Sequence, residues 1–181
     1  PEESEAFEVG LKYNTYFLRA HIAGFYRKGK NMIDWVKEKP EDIWESQNLT
    51  KVDNLGFETN LSLLPRELGN ERFFIRKIEL GYAFIHQDKD SEGYISNYAL
   101  DYLKHKFTAQ LSHSIWKGFS ATWYVRWQDR AGSYTKYENL KPAYEEPYAP
   151  YCLVDMKVNW EYQRLNLYAE LNNLLNSTYY D

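Results

Sequence analysis

The sequence has little of what several classes of protein require. It contains a single cysteine, Cys152, which excludes an internal disulfide and a cysteine-based zinc cluster. No apolar run approaches the roughly 20 residues of a membrane-spanning helix, so a helical membrane protein is excluded. The first five residues are neither basic nor followed by an apolar run, and we therefore expect no signal peptide.

Basic charge and catalytic motifs are also scarce. The formal net charge is -4, and the basic cluster from Lys28 to Lys30 is too short to predict nucleic-acid binding. The four histidines lack the spacing of a metal-binding helix, and no nucleophile or phosphate-loop motif is present. Ser112 and His113 are adjacent, so on a strand they would point to opposite faces and form a poor catalytic dyad. These absences predict a protein that is not an enzyme and that uses no cofactor or metal.

Aromatic residues, by contrast, are abundant and lie in alternating patterns. They make up 18% of the chain, with 17 tyrosines. Apolar and polar residues alternate in eight segments, which is typical of strands with one apolar and one polar side. In the clearest segment, 119–128, apolar side chains such as Trp123 and Val125 alternate with polar ones such as Arg126. The seven other segments lie approximately at 7–13, 18–26, 54–63, 77–84, 103–111, 154–160 and 167–172.

The connections between these segments follow a second pattern. Short links such as KYNTYF and SHSIWKGF alternate with long polar links at about 28–48, 86–97 and 128–148. Transmembrane β-barrels have this asymmetry between turns and loops, and their tilted strands need about 9–11 residues to cross the membrane. The sequence therefore predicts an all-β fold, an antiparallel transmembrane β-barrel. A soluble β-sandwich, whose strands also alternate, is the competing fold.

Five longer stretches contain motifs that occur together in one family. PEESEAFEVGLKYN has a Pro-Glu-x-Ser run before a Glu-x-Gly-x-Lys-Tyr strand, and LYAELNNLLNSTYYD has an Asn-Leu-x-Asn run before Tyr-x-Asp. The other three stretches are NLTKVDNLGFETNLS, LKHKFTAQLS and YVRWQDRAGSY. Together they resemble the carboxy-terminal part of the barrel of a TonB-dependent outer-membrane receptor, over essentially the whole chain.

This resemblance implies a protein of the bacterial outer membrane that takes up a small-molecule nutrient. Residues 1–181 would form about eight of the roughly 22 strands of such a barrel. The plug domain, the earlier strands and the final closing strand would be absent. The implied partners are outer-membrane lipid, the rest of the receptor barrel and plug, the nutrient, and TonB through the absent amino-terminal part. Nucleic acid is not an expected partner.

Two groups of residues are candidates for a functional role. Aromatic and amide side chains in the long links offer flat apolar surfaces with polar edges, which favours ligand binding; membrane-interface anchoring or loop packing is their alternative role. These substrate-binding candidates are Asn31, Trp35, Trp44, Gln47, Tyr94, Tyr134, Tyr137, Tyr144 and Tyr148. The candidates for the barrel lumen, where the resemblance implies contact with the plug, are Glu58, Asn60, Arg126, Asp155, Asn159 and Glu170.

The stretch KNMIDWVKEKPEDIWESQNLTKVDNLGFE resembles the cobalamin-transporter branch of the family. That branch has an Ile-Asp pair on this loop and an Asn before the Gly-x-Glu strand, so cobalamin is the favoured substrate. Trp35 and Trp44 could cover its broad apolar ring, while the amides of Asn31 and Gln47 satisfy its polar rim. A ferric siderophore is the second candidate, supported by Lys28, Lys30 and Lys37.

Three alternatives remain open on the sequence alone. A soluble all-β carbohydrate-binding module would use the aromatic residues as a sugar platform and would stay monodisperse without detergent. A complete small outer-membrane barrel would have both chain ends on the short-turn side. Here short turns follow strands one, three, five and seven, which places both ends on the long-loop side. This alternative is therefore disfavoured. A barrel hydrolase would have to show esterase or lipase turnover.

Overall fold

The structure, a computed structural model, describes residues 2–39, 42–69, 72–90, 93–96, 102–138 and 141–179. The strands in these ranges are β1 (Glu3–Asn14), β2 (Leu18–Lys37), β3 (Glu45–Leu63), β4 (Ile75–Asp90), β5 (Ile95–Ser96), β6 (Tyr102–Trp116), β7 (Phe119–Ala131), β8 (Ser133–Glu138), β9 (Lys141–Pro147), β10 (Tyr151–Tyr162) and β11 (Leu165–Leu171). A 3-10 helix, Pro65–Leu68, lies between β3 and β4. Within the same ranges, no helix has the length and apolar character needed to cross a membrane.

Nine of these strands form one antiparallel sheet, and we call the eight that lie side by side in it the main sheet. Its order is β1-β2-β3-β4-β6-β7-β10-β11, so the principal strands lie side by side in chain order. β5 pairs with the last residues of β2, and β8 pairs with β9 in a separate hairpin. The predicted all-β antiparallel fold with eight principal strands is confirmed. The number of strands in the whole barrel stays a prediction.

The two ends of the main sheet differ. At one end, the short-turn end, brief connections at 15–17, 64–74, 117–118 and 163–164 join successive strands. At the opposite end, the outer end, the predicted long loops are mostly strand, and this part of the prediction was wrong. β2 continues to Lys37 and β3 begins at Glu45, while 133–147 forms the β8–β9 hairpin. Pairing satisfies the backbone of these extensions, but polar and apolar residues are mixed on both faces, which removes the alternating signal from the sequence.

The cross-strand register determines which side chains share a face of the main sheet. One face, the apolar face, has a row that crosses seven strands: Leu18, Leu63, Ile78, Leu111, Trp123, Met156 and Leu171. The next row toward the outer end lies on the other face, the polar face: Asn14, Arg19, Ser62, Glu79, Gln110, Tyr124 and Asp155. The alternation read from the sequence therefore holds across the whole sheet and not only along single strands.

The apolar face has no second layer over it in the described part of the chain. Even in the inner strands of the main sheet, Leu61, Leu80 and Leu111 keep 37–39% of their surface exposed. A β-sandwich would cover such side chains with its second sheet. Toward the outer end the apolar rows stop at a charged row of Glu5, Lys28, Asp53 and Asp88. The face thus has an apolar band with a polar border, which is how a membrane barrel meets lipid and the interface.

Candidate functional site

The polar face is concave and encloses a cavity of about 650 Å³. The cavity is lined from β1 to β10 by charged and amide side chains that include Lys12, Arg19, Asn60, Glu79, Arg126 and Asp155. These groups offer hydrogen bonds and ion pairs to a polar occupant or to water. In the part of the chain that the structure describes, no group of His, Cys, Asp and Glu could hold a metal ion.

All six predicted lumen residues lie on the polar face. Asn60, Arg126 and Asp155 line the cavity itself. The other three have local partners: Glu58 Oε1 lies 3.8 Å from His21 Nδ1, Glu170 Oε1 accepts a 2.7 Å bond from Lys157, and Asn159 donates to Glu161 at 3.1 Å. Their contact with a plug stays a prediction. Lys12, Arg19 and Glu79 belong to the same surface and were missed, although the same alternation could have identified them.

The extended β2–β3 hairpin begins at a pair of β-bulges. Asn31 adopts φ 53°, and the register of the two strands shifts on both sides of Met32. Beyond the bulges Trp35 pairs with Ser46 and Asp34 pairs with Gln47, so Trp35 and Gln47 point to opposite faces of the hairpin. The structure therefore does not bring this tryptophan and this amide together, as the predicted corrinoid contact required.

Trp35 and Trp44 lie on the same side of this hairpin. Trp35 is 43% exposed and Trp44 is 37% exposed. The ammonium of Lys37, two residues after Trp35 on the same strand, lies 4.5 Å from the centre of the Trp44 ring. The pair therefore forms an accessible aromatic surface beside a cation, which suits a flat ligand with partial negative charge.

β5 pairs with the outer end of β2, and the side of the hairpin opposite Trp35 is buried there. Lys37 pairs with Ile95 and Val36 with Ser96, and Asp34 and Val36 are only 3% and 1% exposed. Gln47 and Tyr94, two predicted binding residues, line a common cavity of about 290 Å³. Burial lowers the pKa of Lys89, at the outer end of β4, and the Asp34 carboxylate partly opposes that shift.

The remaining predicted tyrosines belong to the β8–β9 hairpin and its flanks. The rings of Tyr134 and Tyr148 are 5.6 Å apart, and the Arg130 guanidinium lies 5.0 Å from the centre of the Tyr148 ring. Lys136 Nζ lies 5.3 Å from the Tyr144 ring and 2.9 Å from Glu146 Oε2. Hydrogen bonds to Tyr144 and Glu146 raise the pKa of Lys136, and the bond to Lys136 lowers the pKa of Glu146. The side chain of Tyr137 lies outside the described residues.

Solved structures with the same arrangement of strands include two metal transporters and one receptor of the outer membrane. The FrpB iron transporter from Neisseria meningitidis (F3-3 variant) is 17% identical, with a TM-score of 0.70 over 99% of this chain and 28% of that one. The copper transporter OprC is 16% identical, with a TM-score of 0.70 over 99% and 26%. The ferripyoverdine receptor of the outer membrane of Pseudomonas aeruginosa is 18% identical, with a TM-score of 0.70 over 99% and 24%. The chain thus spans about a quarter of the length of the structures it matches.

These sequence identities are too low to assign the chain to a family, but a family model does so. No curated protein matches the chain. The model described as "TonB dependent receptor-like, beta-barrel" matches residues 1–174. This match confirms the resemblance to the receptor family and the predicted outer-membrane location, while the cobalamin branch stays a prediction. Because it extends over nearly all of the sequence, the chain belongs to the TonB-dependent receptor family, whose members are transporters rather than enzymes.

Proposed function

We propose that residues 1–181 form part of the barrel of an outer-membrane active transporter that imports a scarce nutrient. The observation that supports this best is the division of one continuous sheet into an apolar band with a charged border and a concave polar face. The first face suits lipid and the second suits a filled, hydrated lumen. In this proposal the remaining strands, the plug and the TonB-contacting segment belong to the same receptor, and TonB supplies the energy for import.

The polar face is proposed to contact the plug. Arg126 and Asp155 lie on neighbouring strands and line the same cavity, so the surface offers charges of both signs to a docked domain. Glu58, Asn60, Asn159 and Glu170 lie on the same surface, on β3, β10 and β11. Such mixed polar contacts hold a domain in register and still let it move when it is pulled.

The outer end is proposed to bind a large metal complex. Two classes of complex fit different observations. The relatives described above are named for iron, copper and ferripyoverdine, which favours a ferric siderophore. The exposed Trp35 and Trp44 on one side of the β2–β3 hairpin favour a ligand with a broad apolar ring, which is the property of cobalamin that the sequence predicted.

Calorimetry on the intact receptor distinguishes the two classes. Replacing Trp35 and Trp44 together by Ala should weaken binding of the ligand at least roughly tenfold, about 1.4 kcal/mol. Trp116→Ala is the matched control, since Trp116 is also exposed but lies at the short-turn end. Binding of a ferric siderophore without cobalamin binding would reject cobalamin and leave the transporter proposal intact. Absence of binding to any nutrient complex, with a correctly folded barrel, would contradict the transporter proposal.

A further inference from the structure

Two arginines converge on one hydroxyl at the short-turn end of the polar face. Arg66, in the 3-10 helix, donates from Nη2 to Ser114 Oγ at 2.7 Å, and its Nε donates to the Phe73 carbonyl at 2.8 Å. Arg76, at a register shift in β4, donates from Nε to the same Ser114 Oγ at 2.9 Å. The two guanidinium nitrogens are therefore within about 5.6 Å of each other, the sum of their two bonds to Ser114.

Among the described residues, this cluster has N–H donors for which no acceptor is present. A serine hydroxyl accepts two hydrogen bonds and donates one, so the two arginines fill its acceptor positions and its O–H remains to be donated. Arg76 also keeps the four N–H groups of its two terminal nitrogens. Among the described residues, no carboxylate lies within 4.0 Å of either guanidinium. Glu79, on the same strand as Arg76, pairs with Lys77 at 2.8 Å. A group with two acceptor oxygens and negative charge would complete the cluster.

The position of the cluster restricts the source of that group. Ser114 pairs with Ser120, and Ser120 with Asn159, so these residues lie on the polar face and not on the apolar one. Arg66, Arg76 and Ser114 are all half-buried. Lipid phosphates would approach from the apolar side, where Ile115 and Trp116 are exposed. A polypeptide segment at the short-turn mouth of the polar face has direct access to the cluster.

We propose that Arg66, Arg76 and Ser114 form a binding site for the carboxylate of an Asp or Glu side chain on a polypeptide segment. A planar carboxylate accepts two parallel N–H bonds from a guanidinium, and it offsets the repulsion between the two like charges. A bond between a guanidinium and a carboxylate joins two ionised groups, whereas the bonds to Ser114 join a guanidinium to a neutral hydroxyl. The site thus secures an acidic segment at the short-turn end, far from the ligand-binding hairpins.

Zero-length cross-linking in the native membrane identifies the occupant. Arg66→Lys and Arg76→Lys each place an amine at the site, and a carbodiimide then joins that amine to any carboxylate in contact with it. In outer membranes from cells that make the intact receptor, mass spectrometry should find an amide from position 66 or 76 to an Asp or Glu residue. Arg164→Lys, in the exposed β10–β11 turn at the same end, should give no such product.

If the site is vacant in the membrane, no cross-link forms, and a second measurement then tests the proposal. Calorimetry of the detergent-solubilised receptor should then show binding of a hexa-aspartate peptide, weakened at least tenfold by Arg66→Gln with Arg76→Gln and unchanged by Arg164→Gln. A hexa-asparagine peptide should not bind. The proposal is overturned if neither the cross-link nor peptide binding is found. It is also overturned if inorganic phosphate or phosphatidylglycerol vesicles bind at the site and the peptide does not.

Discussion

The apolar and polar faces of the main sheet are made by the same strands and yet have opposite chemistry. Val125 and Arg126 are neighbours in β7, but Val125 pairs with Ala109 and Val154, whereas Arg126 faces a cavity of about 650 Å³. In a soluble sheet one face packs on a core and the other meets water. Here the apolar face has no second layer over it among the described residues, and the polar face lines a cavity. This is the arrangement expected of a membrane barrel, whose apolar face meets lipid.

The largest difference in stability between the two faces is expected when an arginine is introduced on one face or on the other. Val125→Arg should lower the free energy of unfolding of the intact receptor by about 2–4 kcal/mol, because the guanidinium would lie in hydrocarbon. Thr122→Arg points to the polar face, where Thr122 Oγ1 lies 3.0 Å from Ser112 Oγ, and should have a much smaller effect. Denaturant unfolding in lipid bilayers, followed by tryptophan fluorescence, measures both. Equal losses at the two positions would mean that the faces are assigned incorrectly.

The next largest difference in stability is expected when a single methyl group is added to a glycine on one face or on the other. Gly56 lies on the polar face opposite Phe25, and a Cβ there would be 2.5 Å from the Phe25 ring and from the Phe84 carbonyl oxygen. Gly56→Ala should therefore destabilise the barrel by about 1–3 kcal/mol, the usual effect of overpacking. Gly24 lies on the apolar face, where the nearest atom to a Cβ is 3.9 Å away. Gly24→Ala should change stability by less than about 0.5 kcal/mol in the same assay.

The smallest change in stability is expected outside the two faces, in the β8–β9 hairpin, when the pH is lowered. Its ion pair with Lys136 lowers the pKa of Glu146 below the usual value of 4.5. A lowered folded-state pKa stabilises the hairpin at pH values above that of the free carboxyl, and this contribution disappears as the pH falls through the folded-state pKa. Near-ultraviolet circular dichroism of the Tyr134–Tyr148 pair should therefore change in acid, at pH values below the usual pKa of a glutamate carboxyl. The Lys136→Met variant should show no such transition, and an identical transition in it would contradict this account.

The fold could be predicted from the sequence because the pattern that assigns side chains to the two faces is local to each strand. In segments such as 119–128, the alternation of residues is itself the division between the two faces. The eight principal strands were therefore recognisable one by one. The extensions at the outer end could not be recognised in this way, since Asn31 at φ 53° marks a bulge that changes which residues face inward.

Other contacts on the polar face were less predictable, because they join distant parts of the chain. Arg66 and Ser114 are 48 positions apart and meet only through the register of β4 and β6. Leu153 is another case: it lies on the polar face but is 4% exposed. The Asn173 backbone N–H donates to Asp155 at 2.7 Å and Tyr179 stacks on Tyr151, so the segment after β11 covers the leucine between them. Alternation alone assigns a residue to a face and does not predict such coverage.

A nitroxide accessibility scan along β7 tests the division into two faces most directly. Spin labels would be placed one at a time at positions 119–128 of the intact receptor in lipid bilayers, after Cys152→Ala removes the native thiol. Collisions with oxygen, which concentrates in hydrocarbon, should be frequent at the odd positions such as 121, 123 and 125. Collisions with a water-soluble nickel complex should be frequent at the even positions between them. Two profiles that rise and fall together, or that show no period of two, would contradict the account.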